Sequence, residues 1–378
     1  MRLEDLHDGL ERVRLFVLKD NPSISDYPPE ILKKLIVVRR WADTVLLNYT
    51  SIVPFVLDEN DLDWNNFLRV CRGVVFSEKG ELVSFPFHKF FNLNEKDETR
   101  ETEVVKWTIR SVTEKVDGVM IQIFKYKGEL VYGSRHGLWS DASQTAVKIA
   151  PPHLVETVVR KIPFEKWTLI AEFIHPQHRT VGMIDYGDLQ ALVLLFVRNL
   201  ETLELVPATE IWRPDDLPQP LLLPLTYTDK DFWSLRDFIR NYPSFDFEGV
   251  VLQGASDSGN FLVKMKTTAY LERVRTLRNI TPKRVIDYYE KQGMDGVNLL
   301  VGGVEELLDD TIRGIINILK NEEEQLRKEI EHLREKEIME IPPPLRFVKS
   351  YPPDSPKFLG ALWKIVANEV RRKLKMSG

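Results

Sequence analysis

Glu114-Lys115-Val116-Asp117-Gly118 places a chemically competent side chain against an apolar run. Lys115 stands at the mouth of Val119-Met120-Ile121-Gln122-Ile123-Phe124, which the density of β-branched and aromatic residues marks as a strand. An ammonium that loses hydration there has its pKa pressed down, and the neutral amine so produced is a nucleophile. The flanking acids Glu114 and Asp117, with the small Gly118, suit a phosphate or metal neighbour. The same letters also describe a turn with a solvated lysine, so the choice falls to the rest of the chain.

Further cations and acids recur beside apolar segments. Arg72 enters a hairpin formed by Val74-Val75-Phe76 and Leu82-Val83-Ser84-Phe85. Phe85, Phe87, Phe90 and Phe91 surround His88 and Lys89, either as a core loop from which Lys89 snorkels or as an anion-binding lysine held by packed rings. Arg135 lies in Ser134-Arg135-His136-Gly137, Glu172 is the one acid in Trp167–Ile174, and Glu248 opens Glu248-Gly249-Val250-Val251. In Phe261–Lys266, alternation puts Phe261, Val263 and Met265 on one face and Lys264 and Lys266 on the other. Two like charges on one face repel unless an anion lies between them, although a solvated strand face carries such a pair as well. Together these residues suit a nucleoside triphosphate. Acids hold hydrated Mg²⁺ or Mn²⁺, cations neutralise the charge on departing pyrophosphate, and Lys115 attacks the α-phosphorus to become a covalent nucleotide carrier.

The elements that must position these groups follow from pattern. Leu3, Leu6, Leu10, Val13 and Val17 predict a helix over 3–19, and a short helix follows near 31–35. Strands are expected at Thr44–Tyr49, Val119–Tyr126, Leu130–Gly133, Trp167–Ile174 and Leu189–Val197. Helices are expected from Pro151-Pro152 to about Lys161 and over Phe232–Asn241, and proline-rich 203–230 is expected to be irregular. Beyond about Tyr270 the chain is helical, with an apolar stripe at Ile312, Ile315, Leu319, Leu326, Ile330 and Leu333 that is either core or a dimer seam. A last helix runs from Pro356 to Lys375. At 378 residues two domains are expected. A formal charge of -5 leaves no global basic field, so any nucleic-acid surface is a local patch. The single Cys71 excludes an internal disulfide and points to the reducing cytoplasm. Neither a signal peptide nor a membrane span is visible.

The order of the segments resembles the covalent nucleotidyltransferases, that is, ATP-dependent ligases and mRNA-capping enzymes. Lys115-Val116-Asp117-Gly118 is similar to motif I, Ser134-Arg135-His136-Gly137 to motif Ia, Glu172-Phe173 to motif III, Glu248-Gly249 to motif IV and Lys264-Met265-Lys266 to motif V. Leu194-Leu195-Phe196-Val197-Arg198 falls where motif IIIa belongs. Arg72–Phe76 followed by Phe87–Asn92, and Glu172–Pro176 followed by Arg179 and Val181, resemble the bacteriophage RNA ligase 1 group more closely; the likeness covers roughly 40–270. Nothing after residue 270 reads as the β-barrel that usually follows in DNA ligases and capping enzymes.

The resemblance implies an α+β fold. A nucleotidyltransferase domain, ATP-grasp-like with antiparallel sheets flanked by helices, would occupy 1–270, and an all-α C-terminal domain 271–378. It implies an ATP-dependent RNA ligase joining 5′-phosphate and 3′-hydroxyl ends of single-stranded RNA through lysyl-AMP and RNA-adenylate, with ATP and Mg²⁺ or Mn²⁺. By the same resemblance Lys115 is the nucleophile, kept reactive by metal and neighbouring cations, and Asp117 and Glu114 orient it or hold a metal-bound water. Glu172 contacts ribose or hydrated metal, and Glu248 the catalytic metal. Arg72, Lys89, Lys264 and Lys266 bind phosphates, Arg135 the ribose-phosphate region, and Gly118 the nucleotide. Phe196 either stacks on adenine or fills the core. Arg273, Arg275, Arg278, Lys283, Arg284 and Arg371–Lys375 either touch RNA phosphates or lie on solvated helix faces. A DNA ligase, a capping guanylyltransferase and a catalytically dead nucleic-acid-binding relative are the alternatives.

Overall fold

The computed structural model describes residues 1–178, 184–229, 231–256, 259–302, 308 and 310–375; Arg179, Val181 and the side chain of Arg278 lie outside what it describes. The chain divides into two compact units, Met1–Tyr270 and Leu271–Gly378.

The first unit mixes helices with three sheets that are antiparallel but for one short strand. The four-stranded sheet runs Ile36–Trp41, Thr44–Tyr49, Arg72–Ser77, Leu82–Ser84 in spatial order. The largest sheet runs Leu205–Pro207, Ala191–Asn199, Trp167–Ile174, Val119–Tyr126, Glu129–Ser134. The third places Gly249–Ser256 between Gly259–Lys266 and Thr108–Glu114.

Strand alternation gives the largest sheet two different faces. Ile121, Ile123, Leu169 and Ala171 pack under the helices Asp141–Ile149 and Pro152–Val159. Met120, Ile170 and Phe196 face Phe87, Phe90 and Leu262 in a smaller core. Gln122 binds this sheet to the four-stranded one. Its amide donates to the Gly73 carbonyl at 2.7 Å and accepts from the Ser84 hydroxyl at 2.6 Å. Gln122 and Ser84 are wholly buried, so these bonds are met where no water competes.

Several elements differ from the sequence expectation. The polar stretch Thr108–Glu114 is a strand, because pairing with Gly249–Ser256 overrides its weak pattern. Ile36–Trp41 is an edge strand with every residue after Ile36 exposed, which removes the alternation that signals a strand. Ser140 starts a helix over Asp141–Ile149 for which no apolar pattern is read from the sequence, its hydroxyl accepting from the Ser143 amide. Within 203–230, Leu205–Pro207 and Leu221–Leu222 add short strands beside Ala191–Asn199.

The second unit is helical, with long helices Asp310–Leu333 and Pro356–Lys373 and a helical segment Pro282–Val301 broken by a kink at Gly293. Ile312, Ile315, Leu319, Ile330 and Leu333 are all buried, so the apolar stripe is core. Arg371 pairs with Asp287 and Glu290, and Arg372 with Glu369; Lys373 pairs with Glu322. This basic run is therefore already engaged by acids of its own unit. Among the described residues no helix is long and apolar enough to cross a membrane.

Candidate active site

Lys115 follows the last residue of strand Thr108–Glu114, and its amide donates to the Gly249 carbonyl at 2.8 Å. The third sheet thereby holds Lys115 against the start of the strand that follows Glu248. Lys115 Nζ donates to Glu248 Oε2 at 2.7 Å, and Lys266 Nζ reaches Glu248 Oε1 at 2.7 Å. Glu248 is 1% exposed, so both its oxygens are satisfied by ammonium groups in a site of low dielectric.

Gly118 joins this cluster to the largest sheet. Its amide donates to Glu172 Oε1 at 3.1 Å. A Cβ on Gly118 would stand 2.5 Å from the Phe173 carbonyl oxygen and 2.9 Å from Glu172 Cγ, so only glycine permits the approach. Gly249 meets a harder limit: its φ is +140°, and a Cβ there would stand 2.0 Å from the Met265 carbonyl oxygen.

The aromatic loop runs along the edge strand Gly259–Lys266. Lys264 N–H donates to the Phe91 carbonyl, and Leu93 N–H to the Lys264 carbonyl. Lys264 Nζ donates to the Phe90 carbonyl at 3.1 Å and lies 4.3 Å from that ring's centroid. The loop thus holds two lysines by its rings, Lys264 over Phe90 and Lys89 over Phe91. Lys89 lies over Phe91 and Trp64, with Glu95 at 3.8 Å.

The result is a cleft of about 390 Å³ lined by Arg72, Glu114, Lys115, Gly118, Arg135, Glu172, Phe196, Lys264 and Lys266, with Phe87 and Phe90 in its walls. Lys89, Asp117 and Glu248 stand behind the lining. Glu248 reaches it through the two lysines. Asp117 is held from outside: Tyr270 O–H and Ile184 N–H both donate to Oδ2, at 2.9 and 3.0 Å. Asp117 N–H in turn donates to the Tyr186 hydroxyl at 3.1 Å. Phe196 is 2% exposed and packs edge-on against Phe87 at 5.5 Å, so its ring is part of the core that backs the cleft.

The electrostatics correct one sequence expectation. Burial does press Lys115 toward its neutral form, but Glu248, Glu172 and Asp117 outweigh it and hold its pKa above the ordinary lysine value. The depressed lysine is Lys264. Burial is the largest cause, and Arg72, Lys89, Lys115 and Lys266 add repulsion. The acids shift in turn. Burial and neighbouring carboxylates push Glu172 up to about 7 and Asp117 up to about 6. Crowded, partly protonated carboxylates are what an incoming cation relieves. Among the described residues no three His, Cys, Asp or Glu side chains converge as a cage. Glu172 and Glu248 instead fit a hard cation held by one or two carboxylates, with water and phosphate oxygens completing its shell.

Three tyrosines escape sequence reasoning. Tyr270 and Tyr186 anchor Asp117 from 153 and 69 residues away. Burial presses the Tyr49 phenol up, but Arg72, Lys89 and Arg135 outweigh it and leave its pKa below the ordinary value. No local pattern marks any of the three, because each acts through a contact distant in sequence.

A protein-family model described as RNA ligase matches residues 70–270. RNA ligase 1 of bacteriophage TS2126 is 29% identical over 262 residues, which are 64% of this chain and 60% of that protein. A solved structure of a Naegleria gruberi RNA ligase mutant with ATP and Mn is 14% identical, covering 65% of this chain and 81% of that one at a TM-score of 0.37. The family match takes in over half of the chain, from the residues before Arg72 to Tyr270, so the chain belongs to the RNA ligase family.

Proposed function

We propose that the protein is an ATP-dependent RNA ligase in which Lys115 carries AMP. The observation that supports this most is the Lys115–Glu248–Lys266 cluster, set 2.7 Å apart on each side at the edge of a cleft with Arg72, Arg135 and Lys264. A lysine, acids and several cations lining one cleft support this reading, because a triphosphate calls for that set of groups.

The chemistry has three steps. Lys115 Nζ attacks the α-phosphorus of ATP, the bond to the β,γ-phosphates breaks, and pyrophosphate leaves with its electron pair. The proton released from Nζ has Glu248 Oε2 as its nearest acceptor, 2.7 Å away. An RNA 5′-phosphate oxygen then attacks the phosphorus of lysyl-AMP and frees the lysine. Last, an RNA 3′-hydroxyl attacks the adenylated 5′-phosphate, forming the phosphodiester and releasing AMP. Burial and neighbouring cations lower the Lys264 pKa, and an arriving phosphate would favour its ammonium form. Arg72, Arg135 and Lys266 hold phosphate oxygens from the other walls. Glu172 and Glu248 would hold Mg²⁺ or Mn²⁺, which supplies positive charge to the phosphates when bound.

Met1–Tyr270 would be the adenylyltransferase domain, of nucleotidyltransferase fold, and Leu271–Gly378 a separate helical domain. The substrates would be single-stranded RNA with 5′-phosphate and 3′-hydroxyl ends. The one cysteine, Cys71, is buried and unpaired, which suits the cytoplasm.

Incubation with α-labelled ATP and Mg²⁺ tests the reading. Label should appear on the protein and vanish in Lys115→Ala, and equally in Lys115→Arg, whose guanidinium does not lose its proton. Absence of label across metals and pH would overturn the enzymatic reading; label from GTP alone would indicate capping chemistry. Circularisation of 5′-phosphorylated single-stranded RNA should follow, whereas exclusive sealing of nicked duplex would refute the substrate assignment.

A further inference from the structure

The edge strand Ile36–Trp41 is the most exposed strand in the first unit; its register sets Ile36 opposite Tyr49, at the Arg72 end of the sheet, and Trp41 opposite Thr44, at the far end. Alternation puts Arg39 and Trp41 on one face. Arg39 reaches over the turn after Arg135 and His136, and a Cβ on Gly137 would stand 3.8 Å from its Nη1. Two residues on, Trp139 is 63% exposed and packs against Trp41, itself 37% exposed, with ring centroids 5.7 Å apart at 65°.

Two solvent-facing indoles are costly to leave uncovered, and a pair four residues on from the cleft residue Arg135 calls for an occupant. Among the described residues no carboxylate forms an ion pair with Arg39. Arg40 meets Glu78 only at 3.6 Å, with both side chains over half exposed. Asp43, the nearby acid, is already held by Lys127 and Tyr126, each at 2.8 Å. From the cleft outward the surface therefore runs Arg135, His136, Arg39, then Trp41 with Trp139. Cations followed by flat aromatic faces match a single-stranded nucleic acid, whose phosphates and bases alternate in the same way.

We propose that Arg39, Trp41 and Trp139 form the binding surface for the RNA strand that presents the reacting 5′-phosphate. This deepens the ligase reading of the cleft and rests on it. The 5′-phosphate enters past Arg135 and His136, Arg39 takes the next phosphate, and the following base stacks on the tryptophan pair. The surface is continuous with the wall that receives phosphate, which favours the 5′-phosphate strand over the 3′-hydroxyl strand.

Three measurements on the full-length protein test this. They are lysyl-AMP formation from labelled ATP, AMP transfer to a 5′-phosphorylated single-stranded RNA, and direct binding of that RNA by fluorescence anisotropy. In Trp139→Ala and Arg39→Ala the Kd and the transfer KM for the RNA should rise roughly tenfold, with lysyl-AMP formation retained. Trp139→Phe should recover most of the loss, because a ring still stacks. Arg39→Ala should also reduce the salt dependence of binding by about one counterion. Trp233→Ala, on the helix Phe232–Arg240, serves as the exposed-indole control and should match wild type. Unchanged RNA Kd and KM in both surface variants would overturn the proposal. So would a KM effect confined to the 3′-hydroxyl strand when pre-adenylated RNA is supplied. Failure of the wild type to form lysyl-AMP would instead strike the ligase reading, while the anisotropy measurement would still judge the surface.

Discussion

Replacing Glu248 by glutamine removes one charge and almost no volume from the centre of the cleft. The carboxylate is 1% exposed and receives two ammonium groups at 2.7 Å each, on side chains that are 21% and 23% exposed. At an effective dielectric of about 20, each such pair attracts by roughly 6 kcal/mol, and desolvating the ions takes back most of it. The variant leaves Lys115 and Lys266 facing each other across an amide that can accept from only one of them. Breaking a buried pair in this way costs about 3–5 kcal/mol, and the cost should fall on the first unit. Every tryptophan but Trp363 lies in that unit, so urea unfolding followed by tryptophan emission reports it.

A double-mutant cycle isolates the cause. In Glu248→Gln combined with Lys266→Met, one of the two stranded charges is gone, so the double variant should recover about 2 kcal/mol relative to additivity. A loss below about 1 kcal/mol for Glu248→Gln, or strict additivity with Lys266→Met, would refute the view that the carboxylate holds the two lysines together.

Other consequences follow from the same electrostatics. Lys264→Met removes a buried amine that cations repel and that, among the described residues, no carboxylate pairs with, so thermal stability should hold or rise. The KM for ATP should increase roughly tenfold or more from the lost charge-assisted contact. His88 is buried, neither ring nitrogen has a partner among the described residues, and burial with nearby cations lowers its pKa well below the usual value. Below about pH 6.5 the unfolded chain binds a proton at this position that the folded chain refuses. Its contribution to stability is therefore present above that pH and lost as pH falls, at up to about 1.4 kcal/mol per unit. Subtracting the pH profile of His88→Phe from that of wild type isolates this slope from Glu172 and Asp117, whose raised pKa values act in the opposite direction. An absent difference would mean that the ring finds a proton acceptor. Gly249→Ala forces a Cβ to 2.0 Å from the Met265 carbonyl at a φ of +140° and should cost at least about 2 kcal/mol in urea unfolding.

Local pattern carried some of this site and missed the rest, and the division follows the range of each interaction. Alternation along Phe261–Lys266 is a property of any strand, so Lys264 and Lys266 had to share a face once Phe261, Val263 and Met265 faced the core. The apolar stripe of Asp310–Leu333 was legible for the same reason. Thr108–Glu114 was not, because its strand state comes from pairing with a segment more than a hundred residues later. Ile36–Trp41 was lost for the opposite reason: a strand exposed on both faces has no burial pattern to display.

The protonation of Lys115 shows the limit most clearly. From its own neighbours, Lys115 is a lysine entering an apolar strand, and the expected shift is downward. Its sign is set by Glu172, on the largest sheet, and Glu248, at the start of the neighbouring strand of its own sheet, 57 and 133 residues away in sequence. Lys264 sits on a strand that pairs with the one following Glu248, yet it points to the Phe90 carbonyl and among the described residues no carboxylate pairs with it. Two lysines of similar burial thus end with opposite shifts, and the difference lies in which of them a carboxylate reaches. On the proposed ligase reading this division has a use. Lys115 would be held in place by ion pairs until its proton is removed, while Lys264, set among cations, would gain most when a phosphate arrives.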